Sequence, residues 1–419
     1  MASLEPLLKF VDRALDRIGV SNGPLIADTL VESVQRRWRR AAFSDESFRA
    51  PLNRLIAGYQ TEANLGTFGR LSAKWDALRC LTNLIRFDME EDLEPHIREI
   101  QIRRPIFITG LPRSGTTFLH TLLSCDPAIL VPRCWQTIFP YPPYGAKRDT
   151  RRRRVEKQLR FFQQIAPQLG KLHPMSADSP QECTEITAQV FQSLRYEMTH
   201  NVPSYQGWLD NFGHLNAYRF HKRFLQHLQH QHAERGGKST QWILKCPDHI
   251  HALDAIEAVY PDARFVFVHR DPVRVIPSAA KLTEVVRRPF TRFTDPYAIG
   301  KQVVARAVEA ADIMMARDRQ DGERRIFHLH YAELAERPLA TVERFYERFG
   351  LNLNDIARME MMDRIAASRN GNGEYSTETF GLNPRKLCGQ FGQYVEHFSV
   401  RREVPEWERA GLATAPIAA

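Results

Sequence analysis

The segment Gly110-Leu-Pro-Arg-Ser-Gly-Thr-Thr117 places the tightest limit on what this chain can fold into. It follows the short apolar run Pro105-Ile-Phe-Ile-Thr and precedes a helical stretch from Thr116 to Cys125. Glycines at both ends let the backbone curl so that successive N–H groups point inward, and the helix that follows adds its positive end. Such a strand–loop–helix unit is built to hold an anion. The spacing is that of a Walker A loop, Gly-x-x-x-x-Gly-Lys-[Ser/Thr]. Thr116 stands where the lysine would be, and the cation is Arg113 instead. The loop is equipped to cradle one phosphate and poorly equipped for a triphosphate with magnesium.

Three further units of the same kind follow. Gln241–Cys246, Ala263–His269 and Arg325–Tyr331 read as strands, and His249–Tyr260, Val273–Val285 and Leu334–Phe349 as helices. Apolar runs too short for helices, alternating with helical patterns, predict an α/β fold with a P-loop-like central parallel sheet flanked by helices. Residues 1–100 carry helical periodicity, as in Leu4, Leu7, Leu8, Val11 and Leu15, and read as a helical N-terminal extension. The α/β domain is expected over 101–400. Within it, 127–235 form a mostly helical insertion suited to an acceptor pocket, and 401–419 form a C-terminal tail. Asn370-Gly-Asn-Gly373 reads as a turn or mobile loop.

Composition narrows the partners. Hydrophobic residues are 43% and charged residues 26%, the balance of a globular chain, and no apolar run approaches the length of a membrane span. No secretory signal is visible, and six scattered cysteines without a Cys-x-x-Cys pair read as free thiols, so a cytoplasmic enzyme is expected. The formal charge of +9 favours anionic ligands. The basic run Lys147–Arg154 has no interleaved aromatics, which argues for a solvated helix start over nucleic-acid binding. His227, His230 and His232 do not share one helical face and no metal site is expected there.

Pro112-Arg-Ser-Gly-Thr-Thr117 resembles the 5′-phosphosulfate loop of sulfotransferases that use 3′-phosphoadenosine 5′-phosphosulfate, in the arginine form of the bacterial and tyrosylprotein branches. The resemblance implies that Arg113, Ser114, Gly115, Thr116 and Thr117 bind the 5′-phosphate and sulfonate, with no metal required. His269-Arg-Asp-Pro-Val-Arg-Val-Ile-Pro-Ser278 resembles the family's 3′-phosphate motif, which gives Arg270 and Ser278 that role. Lys245 matches the lysine near the sulfonate. His330-Tyr-Ala-Glu-Leu334 resembles the Tyr-Glu-Asp-Leu element, so Tyr331 would touch the adenine. Phe380-Gly-Leu-Asn-Pro-Arg-Lys386 resembles the closing segment, so Arg385 or Lys386 would reach the 3′-phosphate.

The implied reaction is in-line transfer of a sulfonate to a hydroxyl or amine of a small-molecule or lipid-like acceptor. Gln136 stands where many bacterial relatives have a glutamate base, and a glutamine cannot accept the proton. His249 is the first candidate base, in a Lys-x-Pro-x-His pattern; Glu182 is the second, followed by Glu185 and His173. A P-loop kinase or nucleotide hydrolase is the alternative enzyme, and a donor-binding protein without turnover is the non-enzyme alternative. Peripheral membrane contact and a homo-oligomer are both compatible with the sequence.

Overall fold

A computed structural model describes residues 4–17, 23–322, 325–368 and 376–403. The turn expected at 370–373 and most of the 401–419 tail lie outside the described residues. Five parallel strands form one sheet: β1 (Ile106–Gly110), β2 (Ile129–Leu130), β3 (Gln241–Lys245), β4 (Arg264–His269) and β5 (Ile326–His330). Their order is β2-β3-β1-β4-β5. The central β1 is apolar on both faces because helices cover both, and Ile106, Phe107 and Ile108 are all buried. Ile106 pairs with Ile243 on one side and Arg264 on the other. The expected parallel α/β sheet is therefore present.

The chain leaves β1, builds β2 and β3 on one side, then crosses to β4 and β5 on the other. That reversal opens a crevice at the carboxyl ends of β1, β3 and β4, where such sheets bind ligands. β2 pairs over only Ile129↔Gln241 and Leu130↔Trp242, too short to show a strand period in sequence.

The described residues before β1 hold the helices α1 (Glu5–Arg17), α2 (Ala27–Trp38), α3 (Arg49–Thr61) and α4 (Thr67–Leu93). Leu84, Ile85 and Phe87 of α4 join the same apolar core as Phe107 of β1 and Phe224 of helix Leu215–Glu234. After β1 come α5 (Thr116–Leu123), α6 (Cys134–Ile138) and α7 (Arg151–Ile165). The insertion continues through short helices to Glu234 and returns the chain to β3.

Candidate active site

The loop after β1 has the backbone its glycines allow. Gly115, at the N-cap of α5, has φ 95°, and a Cβ there would lie 2.6 Å from the Tyr331 ring. Only glycine permits both the left-handed conformation and that approach. Arg113 also lies at positive φ, 70°. No side chain caps α5, so its first-turn N–H groups face the crevice. Ser114 Oγ is buried and has no hydrogen-bond partner among the described residues. A loop of uncapped N–H groups with an unpartnered hydroxyl fits a phosphate group.

Lys245 ends β3 and is buried beside the loop. Its Nζ donates to Thr117 Oγ1 at 3.1 Å and to Glu182 Oε1 at 2.5 Å. Glu182 reaches it because the insertion's return segment is pinned to the sheet. Gln181 N donates to Pro132 O at 2.8 Å and Cys183 N to Lys245 O at 3.1 Å. Burial alone would raise the Glu182 carboxyl, but Lys245, then His173 and Arg113, hold it below the ordinary value. It is an anion facing two cations.

On the other side of the loop, Arg113 Nε donates to Ser278 Oγ at 3.2 Å. Arg270, immediately after β4, donates from Nη1 to Arg113 O at 3.2 Å, and its guanidinium stacks 3.7 Å from the Tyr331 ring centre. Its Nε and Nη2 are both engaged by Glu403 at 2.9 Å. Glu403 N donates in turn to Asp271 Oδ2 at 2.6 Å.

Part of this set lines an open cavity of about 1470 Å³, with Lys245 and Ser278 outside its lining. Arg113, Thr116, Thr117, Glu182, Arg270 and Tyr331 face it. So do His173 and Glu185. Its far wall is apolar: Phe68 stacks on Phe290 at 5.8 Å, Phe162 stacks on Phe290 at 5.8 Å, and Leu172, Met175 and Val286 continue the surface. An ionic cluster on the wall ties α4 to the insertion. Arg79 Nη2 lies 2.6 Å from Asp76, and Arg195 joins Asp76 at 2.5 Å and Glu185 at 3.3 Å. Burial pushes the Asp76 carboxyl up, but Arg195 and Arg79 outweigh it and keep it well below the usual range.

Two sequence expectations name residues that the structure places away from the cavity. His249 does not face the cavity. It is buried against Phe107, its Nδ1 sits 2.6 Å from the Tyr218 hydroxyl, and burial drives its pKa well down. It is a neutral core residue, because the 3₁₀ helix Pro247–Ala252 turns position 249 under the sheet. Arg385 and Lys386 are exposed on helix Pro384–Gln390, which packs inward through Leu387, and neither lines the cavity. Gln136 has a structural role: its Oε1 accepts the Arg133 N–H at 2.9 Å, the half of a capping box that an N3 side chain supplies, at the start of α6.

Two residues were missed by sequence reasoning. Glu403 had no motif around it. Asp248 lines the cavity, and burial followed by the charge of Glu182 pushes its carboxyl up to about 7. Its position beside the Lys245 strand end was the available signal. His227 is buried and paired with Glu91 at 2.9 Å, apart from its histidine neighbours in sequence. Among the described residues no group of three potential ligands could hold a metal.

The model of the sulfotransferase family matches residues 105–355, more than half of the chain. The chain belongs to the sulfotransferase family. It is therefore a transferase that moves a sulfonate group. Among its relatives, this sulfotransferase is 23% identical over 320 residues to the omega-hydroxy-beta-dihydromenaquinone-9 sulfotransferase Stf3 of Mycobacterium tuberculosis, covering 72% of this chain and 76% of that one. The Stf3 of Mycobacterium bovis matches equally. Among solved structures, the sulfotransferase STF9 from Mycobacterium avium superposes with TM-score 0.80 at 25% identity, covering 90% of this chain and 98% of the other. STF1 from Mycobacterium tuberculosis superposes with TM-score 0.73 at 27% identity, covering 88% and 98%.

Proposed function

We propose that this sulfotransferase takes its sulfonate from 3′-phosphoadenosine 5′-phosphosulfate and delivers it to a hydroxyl on a lipid-like acceptor, with Glu182 as the base. The observation that carries the reading is the Lys245 ammonium held between Thr117 of the donor loop and Glu182, at the head of a cavity whose far wall is aromatic and aliphatic. One end of that space suits anions. The other suits a long apolar chain.

The donor supplies an activated sulfur–oxygen bond to its 5′-phosphate. The loop N–H groups with Ser114, Gly115, Thr116 and Thr117 bind the 5′-phosphosulfate, and Arg113 and Lys245 offset the charge that develops on the bridging oxygen as that bond breaks. Arg270 and Ser278 bind the 3′-phosphate through a guanidinium fork and a hydroxyl. Tyr331, already under the Arg270 guanidinium, borders the nucleoside. Glu182 takes the proton of the acceptor hydroxyl as its oxygen attacks sulfur. The carboxylate is ionised, as a base must be. The lipid-like acceptor draws further support from the Stf3 relative, which is named for a menaquinone-derived substrate.

Incubation of the full chain with donor labelled in the sulfonate and with long-chain isoprenoid alcohols tests the reading. Label is expected in a lipid product, and Arg113→Ala is expected to abolish it. Label in water-soluble phenols or sugars alone would refute the acceptor class. Tight donor binding without any labelled product would refute turnover.

A further inference from the structure

The mouth of the cavity carries an apolar rim. Leu71 and Trp75 of α4 and Phe161 of α7 all line the cavity, yet they are 60%, 43% and 47% exposed. The Phe161 ring lies 6.3 Å from Phe68, which joins the two helices at this edge. Large apolar side chains that are both at an opening and exposed mark a binding surface.

The exposed charges of α7 beside the rim are cationic, while Asp12 of α1 is turned to the Phe68 N–H at 2.8 Å. α7 carries six cations and a single carboxylate, Glu156. Three of the six are used internally: Arg151 on Asp149, Arg152 on Asp178, and Arg154 over the Phe139 ring. The rest, Arg153, Lys157 and Arg160, recur at i, i+4 and i+7 and are exposed. Lys74, between Leu71 and Trp75, is exposed too. Among the described residues none of these four has an ion-pair partner. Glu156 faces inward, with Oε2 accepting the Ala177 N–H at 3.0 Å. On both helices a cation therefore stands one residue before an aromatic ring, Lys74-Trp75 and Arg160-Phe161.

We infer that this rim docks on an anionic lipid bilayer. Leu71, Trp75 and Phe161 enter the interface, while Lys74, Arg153, Lys157 and Arg160 meet acidic headgroups. The cavity then opens directly into the bilayer, so an apolar acceptor reaches Glu182 without crossing water. Among the described residues no helix is long and apolar enough to cross a membrane, so the contact is peripheral. The purpose of docking rests on the lipid-like acceptor reading. The docking itself does not, and it is measured without donor or acceptor.

Vesicle flotation with the full chain tests it, using vesicles of phosphatidylcholine alone and vesicles with equal parts phosphatidylglycerol. The chain is expected to float with the anionic vesicles only, and to release them as salt is raised. The triple variant Leu71→Glu, Trp75→Glu, Phe161→Glu is expected to bind at least about tenfold more weakly. Neutralising Lys74, Arg153, Lys157 and Arg160 with glutamine is expected to have a comparable effect. Met359→Glu, on an exposed helix that carries Asp355, Glu360 and Asp363, is expected to change nothing. Near-ultraviolet dichroism and thermal midpoints report whether each variant is folded. Equal flotation by a folded rim variant and the parent chain would overturn the inference. So would an absence of vesicle binding, including the case in which sedimentation shows the rim covered by a second copy of the chain.

Discussion

The Arg270 guanidinium lies in the fork of the Glu403 carboxylate, with Nε and Nη2 each 2.9 Å from a separate oxygen. A carboxylate in that position offers an arginine much of what a phosphate offers: two acceptors and a negative charge. Glu403 is anchored from behind by its own N–H on Asp271 and by the preceding segment. There, the buried Tyr394 hydroxyl meets His269 Nδ1 at 2.9 Å, and His269 Nε2 meets His328 Nδ1 at 2.9 Å. A donor whose 3′-phosphate takes Arg270 must displace this carboxylate.

Glu403→Ala is therefore expected to tighten binding of 3′-phosphoadenosine 5′-phosphate by roughly 3- to 10-fold, the worth of one charge-assisted contact. Arg270→Ala is expected to weaken it roughly 10- to 100-fold. Calorimetry with the two variants checks both, and unchanged affinity in Arg270→Ala would remove the 3′-phosphate assignment.

The two candidate bases separate cleanly by substitution. Glu182→Gln keeps the size and hydrogen bonding of the side chain but cannot take a proton. It is expected to lower kcat about 100- to 1000-fold with product affinity little changed. His249→Phe combined with Tyr218→Phe removes both partners of a buried hydrogen bond together, leaving no orphan. That pair is expected to keep kcat within about threefold, as a core position should. Steady-state kinetics on both variants decide the matter.

At Gly115 a methyl group meets the Tyr331 ring at 2.6 Å, on a backbone at φ 95°. Gly115→Ala is expected to cost about 1–3 kcal/mol in denaturant unfolding and to remove donor binding. Gly389, which has open space around its Cβ position and lies within a helix, gives the opposite sign on the same substitution. Gly389→Ala is expected to stabilise by up to about 1 kcal/mol.

Asp248 gives a pH test. Its carboxyl is pushed up to about 7 in the folded chain, from an ordinary value of 3.8, so the folded state binds the proton more tightly than the unfolded state. Its contribution is fully favourable below the ordinary value and is lost as pH rises through the interval to about 7. Asp248→Asn removes that loss. The variant is expected to match the parent near pH 4 and to exceed it by about 1–3 kcal/mol above pH 8. Thermal midpoints across this range measure it, and parallel profiles would show that the carboxyl does not titrate there.

The sheet and the glycine-bounded loop after β1 were legible because each leaves a local mark. Strands covered on both faces become short apolar runs, and a phosphate loop needs its glycines, cation and hydroxyls at fixed spacing. Which candidate base faces the cavity was not legible. Glu182 and His249 both lie near motif residues in sequence, and what separates them is the direction each side chain takes. His249 is fixed in the core by Tyr218, 31 residues away, and Glu182 meets Lys245 across 63 residues. Glu403 reaches Arg270 across 133 residues, with no periodicity to announce it. Gln136 was misleading in a different way. It matched a family position that elsewhere holds a glutamate, while its local spacing from Arg133 already suited a helix cap.

Asp76 and Arg79 belong to chain that is complete before β1 begins, yet they stand on the wall of the cavity with Arg195 and Glu185 of the insertion. On the proposed reading the donor is held by the loop and strand ends, and the acceptor is surrounded by helices from α4, from the insertion and from the stretch after β4. New acceptors can therefore be acquired by exchanging residues of α4 and α7 while every group that grips the nucleotide stays as it is. A lineage of such enzymes would diversify along these helical stretches and would keep the same Gly110–Thr117 loop.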